Sequence, residues 1–380
     1  MAMGLTRRRL CEGVLVAAAQ PTLTFAADSD IVVAQVGPFT GIPVPDALQL
    51  NQGTKAGFAQ INERGGIGGR RVTFFDVDDT YNADGFVKAF GQAMQRKPVA
   101  LLNPIGSAAL KRLLDDKMLD QADVIVLNAI PGAEALRNPG HPKLFHIRAG
   151  DKQQIEKIVQ HVVTLGVEEL AVLHHNIVIG TSGLAVAQAS ATASGKLKVV
   201  PFEATAEIPS LAAAAAKVIQ SSAKAVLVVG APPFMANGVA QVRALGGGQF
   251  VFALSYVPPG LLAKVAGPAA RGVGLSQTYP NPLGVSSPLQ REFQAAMKQS
   301  FPDVAPGGYT SFHLEGYISS RVFAEAARRS KEVTPEAVAK SLHAMGEYDM
   351  GGFRVNFARN NIGSGFVDIG VINVDGRLIY

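Results

Sequence analysis

From residue 31 onward the chain alternates between two kinds of segment. Short runs rich in β-branched residues are followed by longer stretches in which apolar positions recur every three or four residues. The short runs predict strands at 31–36, 72–77, 99–102, 124–127 and 144–147. A second series follows at 170–174, 199–202, 225–229, 250–254 and 272–275. Between them, Ile155, Ile158, Val159 and Val162 mark one face of a helix laid on a sheet. Leu289, Phe293, Ala296 and Met297 repeat that spacing. A long helix over 309–330 and a shorter one over 335–343 come next, the latter with Thr334 as N-cap and Pro335 at the first helical position. Strands alternating with helices predict parallel α/β layers. Two series of equal size predict two doubly wound lobes rather than one oversized sheet. No low-complexity stretch is long enough to act as a free linker, so ordered crossovers join the lobes.

Composition agrees with a large globular core: 380 residues, 48% hydrophobic and 17% charged. The first 27 residues read differently. Arg7, Arg8 and Arg9 precede a short apolar run from Val14 to Ala19, and small residues follow at Ala26 and Ala27, the pattern of a secretory signal. Thr6-Arg7-Arg8-Arg9-Leu10 also matches the twin-arginine export signature, although an ordinary signal begins with basic residues too. The expected destination is the periplasm. Cys11 is the single cysteine and falls inside this segment, so the exported chain is expected to lack disulfide and thiol chemistry. Removing the signal takes away three Arg and one Glu and lowers the formal charge from +5 to about +3. No cluster of basic residues interleaved with aromatics remains, which argues against nucleic acid as a partner.

The loops that follow the strands carry a recognisable pattern. Val36-Gly37-Pro38-Phe39-Thr40-Gly41, then Asn51-Gln52-Gly53, then Ile61-Asn62-Glu63-Arg64-Gly65-Gly66-Ile67-Gly68-Gly69-Arg70 resembles the opening of type I periplasmic binding proteins of the leucine/isoleucine/valine-binding family. The likeness continues through Asp78-Asp79-Thr80-Tyr81, Pro104 to Ala108 and Gly180 to Gly183, and ends with Asp368 to Gly376. The glycine-rich segment is scaffold: a helix stops at Gly65-Gly66, turns through Gly68-Gly69 and feeds the strand at Val72. The resemblance implies three crossovers, with lobe one formed by 28–148 and 278–348 and lobe two by 149–277 and 349–380. It also implies a small-molecule ligand, no cofactor, and an ABC-type membrane permease as partner.

By the same resemblance, Gly106, Ser107 and Ala108 lie where the family holds a substrate carboxylate. A helix start offers unpaired N–H groups and a positive dipole end, which suits that role. An ordinary N-cap at Ser107 is the competing reading. Departures from the family pattern are informative. Ile130-Pro131-Gly132 replaces a pair that helps hold an ammonium group, Ile179 replaces an aromatic residue, and Ser255-Tyr256 stands where a carboxylate is usual. An ammonium left unpaired between closing lobes costs several kcal/mol, on the order of a broken buried ion pair, so a free amino acid is disfavoured. Ile130, Pro131, Ile179, Pro232 and Phe234 instead suggest an apolar cleft, although each also fits a core. Phe39 belongs to the opening run. Asp46 is read either as a ligand contact or as the cap of a helix starting near Ala47. Tyr81, Asn103, Tyr256 and Tyr279 are candidate hydrogen bonders at strand ends.

Enzyme chemistry finds little footing. His174 and His175 are adjacent on a strand and point to opposite faces, so they do not share a metal ion. Gly246-Gly247-Gly248 precedes a strand where a phosphate loop would follow one. Asp76, Asp78 and Asp79 read as a solvated loop. The expected activity is capture of a small, largely apolar ligand, with or without a carboxylate, by hinge closure. Periplasmic sensing and carriage of an apolar lipid are the alternatives.

Overall fold

The computed structural model describes Met1 and residues 30–40, 45–130 and 134–380. The secretory-signal segment and Pro131 lie outside the described residues. All ten expected strands form, one with its expected bounds and the others with boundaries shifted by one or two residues. Lobe one holds β1 (Ile31–Gly37), β2 (Val72–Asp78), β3 (Ala100–Leu102), β4 (Ile125–Leu127) and β5 (Leu144–Phe145), in the parallel order β2-β1-β3-β4-β5. Lobe two holds β6 (Glu169–His175), β7 (Lys198–Ala204), β8 (Ala225–Val229), β9 (Phe250–Ala253) and β10 (Gly274–Gln277). Four further strands were not expected as such: β11 (Glu347–Asp349), β12 (Arg354–Asn356), β13 (Asp368–Ile372) and β14 (Leu378–Ile379). The second sheet runs β14-β13-β10-β9-β8-β6-β7, with β13 antiparallel to β10. Both lobes reverse strand order beside their first strand, and in open α/β sheets the crevice at such a switch point is where ligands bind.

Strand β1 shows how the first lobe is built. Ile31 and Val33 face a core with Phe58, Ile61, Tyr317 and Phe323. Ala34 and Val36 face the opposite side, against Phe86, Phe90, Leu110 and Leu113. Period-two burial on both faces is what a parallel sheet covered by helices requires. On the first face the helices Pro45–Glu63 and Ser311–Arg329 approach backbone to backbone. A Cβ on Gly53 would lie 1.9 Å from the His313 carbonyl oxygen, and one on Gly316 would lie 2.0 Å from that of Leu50.

The glycine-rich segment behaves as expected. The helix ends at Glu63, and Gly65, Gly66, Gly68 and Gly69 all take positive φ, between 59° and 92°. Asn62 closes the turn: its Oδ1 accepts from the Val72 N–H at 2.8 Å and its Nδ2 donates to the Val72 carbonyl at 2.9 Å. The motif thus locks a helix end onto the strand it feeds.

One boundary is corrected. Met350, Phe353, Val355 and Phe357 pack into the core of lobe one, and the His146 N–H donates to the Asn361 carbonyl at 2.8 Å. Residues 349–363 therefore belong to lobe one, and the last crossover comes just before β13. The chain passes between the sheets three times, after β5, after β10 and before β13. Among the described residues, no helix is long and apolar enough to cross a membrane.

Candidate functional site

Loops at the carboxyl ends of the strands enclose a cavity of about 490 Å³ between the lobes. That volume lies within the roughly 300–1,000 Å³ of small-molecule sites. Lobe one contributes Tyr81, Ile105, Gly106, Ser107, Ala108, Ile130, Leu136 and Phe312, and lobe two contributes Ile177, Val178, Ile179, Ala231, Pro232 and Tyr256. The wall is mostly apolar on both sides, so closure onto an apolar ligand would remove hydrocarbon surface from water in both lobes at once.

Three helices begin at this cavity: Ser107–Asp115, Val178–Ser194 and Pro232–Ala244. None of their N-caps, Gly106, Ile177 and Ala231, makes a side-chain capping hydrogen bond. The N–H groups of Ser107, Ala108, Val178 and Ile179 thus lack a side-chain cap as acceptor, and the positive dipole ends of all three helices meet the cavity, although the third opens on Pro232-Pro233, which carry no N–H. Gly106 has φ 115°, so the chain turns into the helix there in a conformation that favours glycine. Ser107 is then the first helical residue and not the cap, which corrects the N-cap reading and leaves its hydroxyl at the cavity wall.

Of the expected site residues, Tyr81, Gly106, Ser107, Ala108, Ile130, Ile179, Pro232 and Tyr256 line the cavity. Others sit elsewhere, for identifiable reasons. Phe39 is half-buried beside Gly37, and its N–H donates to Asp78 Oδ1 at 2.9 Å. Phe234 is buried and stacks on the His175 ring at 4.4 Å between centroids, so it is core. Asn103 is fully buried, donating to Thr54 Oγ1 at 3.0 Å while its Oδ1 accepts from Asn128 Nδ2 at 2.9 Å and Ser319 Oγ at 2.7 Å. Tyr279 is buried with its hydroxyl on Glu315 Oε1 at 3.2 Å and Asn128 Oδ1 at 3.3 Å. Ser255 accepts from Arg148 Nη2 at 2.7 Å. For Asp46 only the backbone is described: it is the second residue of the helix that starts at Pro45, inside its first turn and not at a cap.

Beneath the cavity lies a buried ionic cluster that sequence reasoning did not find. Arg148, just after β5, contacts Ser255 and Thr278 through Nη2 and faces Glu315 on the long helix of lobe one. Its guanidinium carbon lies 4.8 Å from the centre of the Tyr256 ring, so the cation rests on the back of a cavity-lining aromatic. The Tyr256 hydroxyl donates to Asp151 Oδ1 at 2.7 Å, and burial pushes the Asp151 carboxyl up to about 7. Burial also raises the Tyr256 phenol, which keeps it a neutral donor. Burial works against the charge on Arg148, and the Glu315 carboxylate more than offsets it. The cluster draws on four separate segments, around Arg148 and Asp151, Ser255 and Tyr256, Thr278, and Glu315, and nothing short of folding signals their meeting.

Asp79 also departs from expectation. It is not part of a solvated loop: it is 1% exposed and lines the cavity. Its Oδ1 accepts from the Tyr81 N–H at 2.8 Å, and burial pushes its carboxyl up to about 6.

Two doubly wound lobes closing on a mostly apolar cavity lined by helix starts define a two-lobed ligand-binding protein. The comparisons are specific: the periplasmic binding protein profile matches residues 30–366, and the chain belongs to that family. No curated protein matches the chain. Among solved structures, an extracellular ligand-binding receptor from Verminephrobacter eiseniae is 47% identical, with a TM-score of 0.88 over 92% of this chain and 100% of that one. A substrate-binding periplasmic protein from Ralstonia solanacearum is 30% identical, with a TM-score of 0.81 over 92% and 99%. A leucine complex of an ABC transporter substrate-binding protein from Desulfitobacterium hafniense shares the fold at 18% identity, with a TM-score of 0.78 over 93% and 100%. The resemblance to leucine-binding proteins thus holds for the fold of the described chain.

Proposed function

We propose that this protein is the ligand-capturing component of an ABC-type importer, and that its cargo is a small, largely apolar molecule bearing a carboxylate. The observation that carries the ligand class is the cavity itself. Apolar residues from both lobes meet there with three helix starts that lack side-chain caps. The apolar walls would hold the body of the ligand, and the first-turn N–H groups with the Ser107 hydroxyl would hold its anionic end. The positions where the family resemblance puts ammonium partners support the same reading, since Ile130 and Ser255-Tyr256 stand there and the Tyr256 hydroxyl is committed to Asp151.

Binding is the whole reaction under this reading. Ligand contacts in both lobes stabilise a closed state, and the membrane permease recognises that state. The Desulfitobacterium relative, an ABC transporter substrate-binding protein of the same fold, supports the transport role over sensing. Native mass spectrometry of the protein as purified from its own periplasm tests the ligand class. A co-purifying apolar carboxylate is the expected result, and a bound free amino acid overturns the reading.

A further inference from the structure

Among the described residues that line the cavity, Lys111 is the one with a basic side chain. Asp79, the other charged residue on that wall, is 1% exposed, whereas the Lys111 side chain keeps 62% of its surface open. Lys111 stands four residues after Ser107 on the helix Ser107–Asp115, the spacing at which side chains of one helix face meet. Side chains on a helix lean toward its start, so a carboxylate held at Ser107 would lie within reach of the Lys111 ammonium. The methylene stem of the lysine would continue the apolar wall beside it.

In this structure the ammonium is turned the other way along the helix, onto Asp115, whose own side chain is 56% exposed and stands outside the cavity wall. An exposed pair of this kind is screened by water and salt, and little is lost when it is exchanged. Its order along the helix is also the poorer one. An acid placed four residues before a lysine pairs better than an acid placed four residues after it, in keeping with the helix dipole. A ligand carboxylate at Ser107 would supply the better order. The neighbouring cation does not compete for it, because Arg112 is engaged by Asp84 at 3.4 Å and by Asp116.

We propose that Lys111 is a specificity-determining residue of the cargo site, whose ammonium leaves Asp115 and pairs with the carboxylate of the bound ligand. The inference rests on the reading of the cavity as the site of an apolar carboxylate. It adds that the acid is selected over its neutral isostere by a full positive charge as well as by helix-start N–H groups.

The test is titration calorimetry of the full exported chain with small branched and aromatic monocarboxylates, each matched with its neutral primary amide. The parent protein should prefer the acid. Lys111→Gln should weaken acid binding by about threefold to tenfold and shrink that preference. Asp115→Asn, which removes the competing partner without touching the cavity, should strengthen acid binding by about twofold. Raising salt from about 50 to about 500 mM should weaken acid binding more in the parent than in Lys111→Gln. An acid preference that survives intact in Lys111→Gln, or that Asp115→Asn leaves unchanged, overturns the assignment and leaves the cargo reading standing. Equal binding of acid and amide by the parent removes the carboxylate from the proposed cargo, and Lys111 with it. Failure of every probe overturns both.

Discussion

Arg148 and Glu315 face each other at 3.5 Å, each with a side chain 1% exposed, where the chain first passes from one lobe to the other. Arg148 also holds Ser255 of lobe two, and Glu315 also accepts from Asn128 and Tyr279 of lobe one. The pair therefore pins the junction behind the cavity. A buried ion pair of this kind adds little net stability over an apolar replacement, but breaking one side of it is costly.

Glu315→Ala should destabilise the protein by about 3–5 kcal/mol, because Arg148 would remain buried without its counter-charge. Chemical denaturation measures the loss. Combining it with Arg148→Met should restore part of the stability. A double variant that loses the full sum of the single effects would show that the two residues are not coupled.

Asp151 supplies a pH dependence whose sign follows from its environment. Burial raises its carboxyl from 3.8 to about 7, with Glu134 adding to the rise and the Tyr256 hydroxyl, Arg137 and Arg148 opposing it. The folded state thus holds a proton that the unfolded state has released, and stability contributed by this site falls as pH rises through about 4 to 7. In Asp151→Asn that decline is absent. Relative to the parent, the variant should gain stability from pH 5 to 7 by at most about 1.4 kcal/mol per unit. Thermal denaturation at several pH values would show parallel curves if the site does not titrate.

Ser107→Ala tests the anion end of the cavity. Loss of a hydroxyl that donates to a ligand carboxylate should weaken binding by about tenfold, the equivalent of a ~1.5 kcal/mol charge-assisted hydrogen bond. Because Ser107 makes no capping bond, stability without ligand should change little. Unchanged affinity by calorimetry would remove Ser107 from the site.

Gly316→Ala probes one of the close contacts between the two long helices of lobe one. Its Cβ would fall 2.0 Å from the Leu50 carbonyl oxygen, so the helices Pro45–Glu63 and Ser311–Arg329 would have to separate. The expected cost is about 1–3 kcal/mol or more. An unaltered melting temperature would mean that the two helices are not held as tightly as this contact implies.

Much of this architecture is local in origin and was readable residue by residue. Seven of the ten parallel strands contain β-branched residues and all ten overlap runs picked out by local pattern, and the Thr334 cap with Pro335 is a local signal that the structure reproduces, with Thr334 Oγ1 accepting from the Ala337 N–H at 3.2 Å. The Asn62 to Arg70 turn was legible because glycine's freedom at positive φ is a property of the residue itself. Strands β11 to β14 were less visible, since short antiparallel strands depend on partners rather than on their own pattern.

The cavity divides along the same line. Gly106, Ser107 and Ala108 follow a strand and open a helix, so their place at the crevice follows from chain order. Asn103, Tyr279, Phe234 and Ser255 also stand at or near strand ends, yet tertiary packing turned them into the core or the junction behind the cavity. Whether a polar residue meets a ligand or a neighbour depends on what the rest of the chain brings to it. Glu315 and Phe312 show this most clearly. Both arrive from a helix almost two hundred residues beyond the strands they serve, one to neutralise Arg148 and the other to wall the cavity. The sequence by itself determined the two lobes and the places of their parallel strands, because those depend on local pattern. Only the tertiary structure decided which side chains face the ligand and which ions meet beneath it, because those depend on distances between segments that no local pattern encodes.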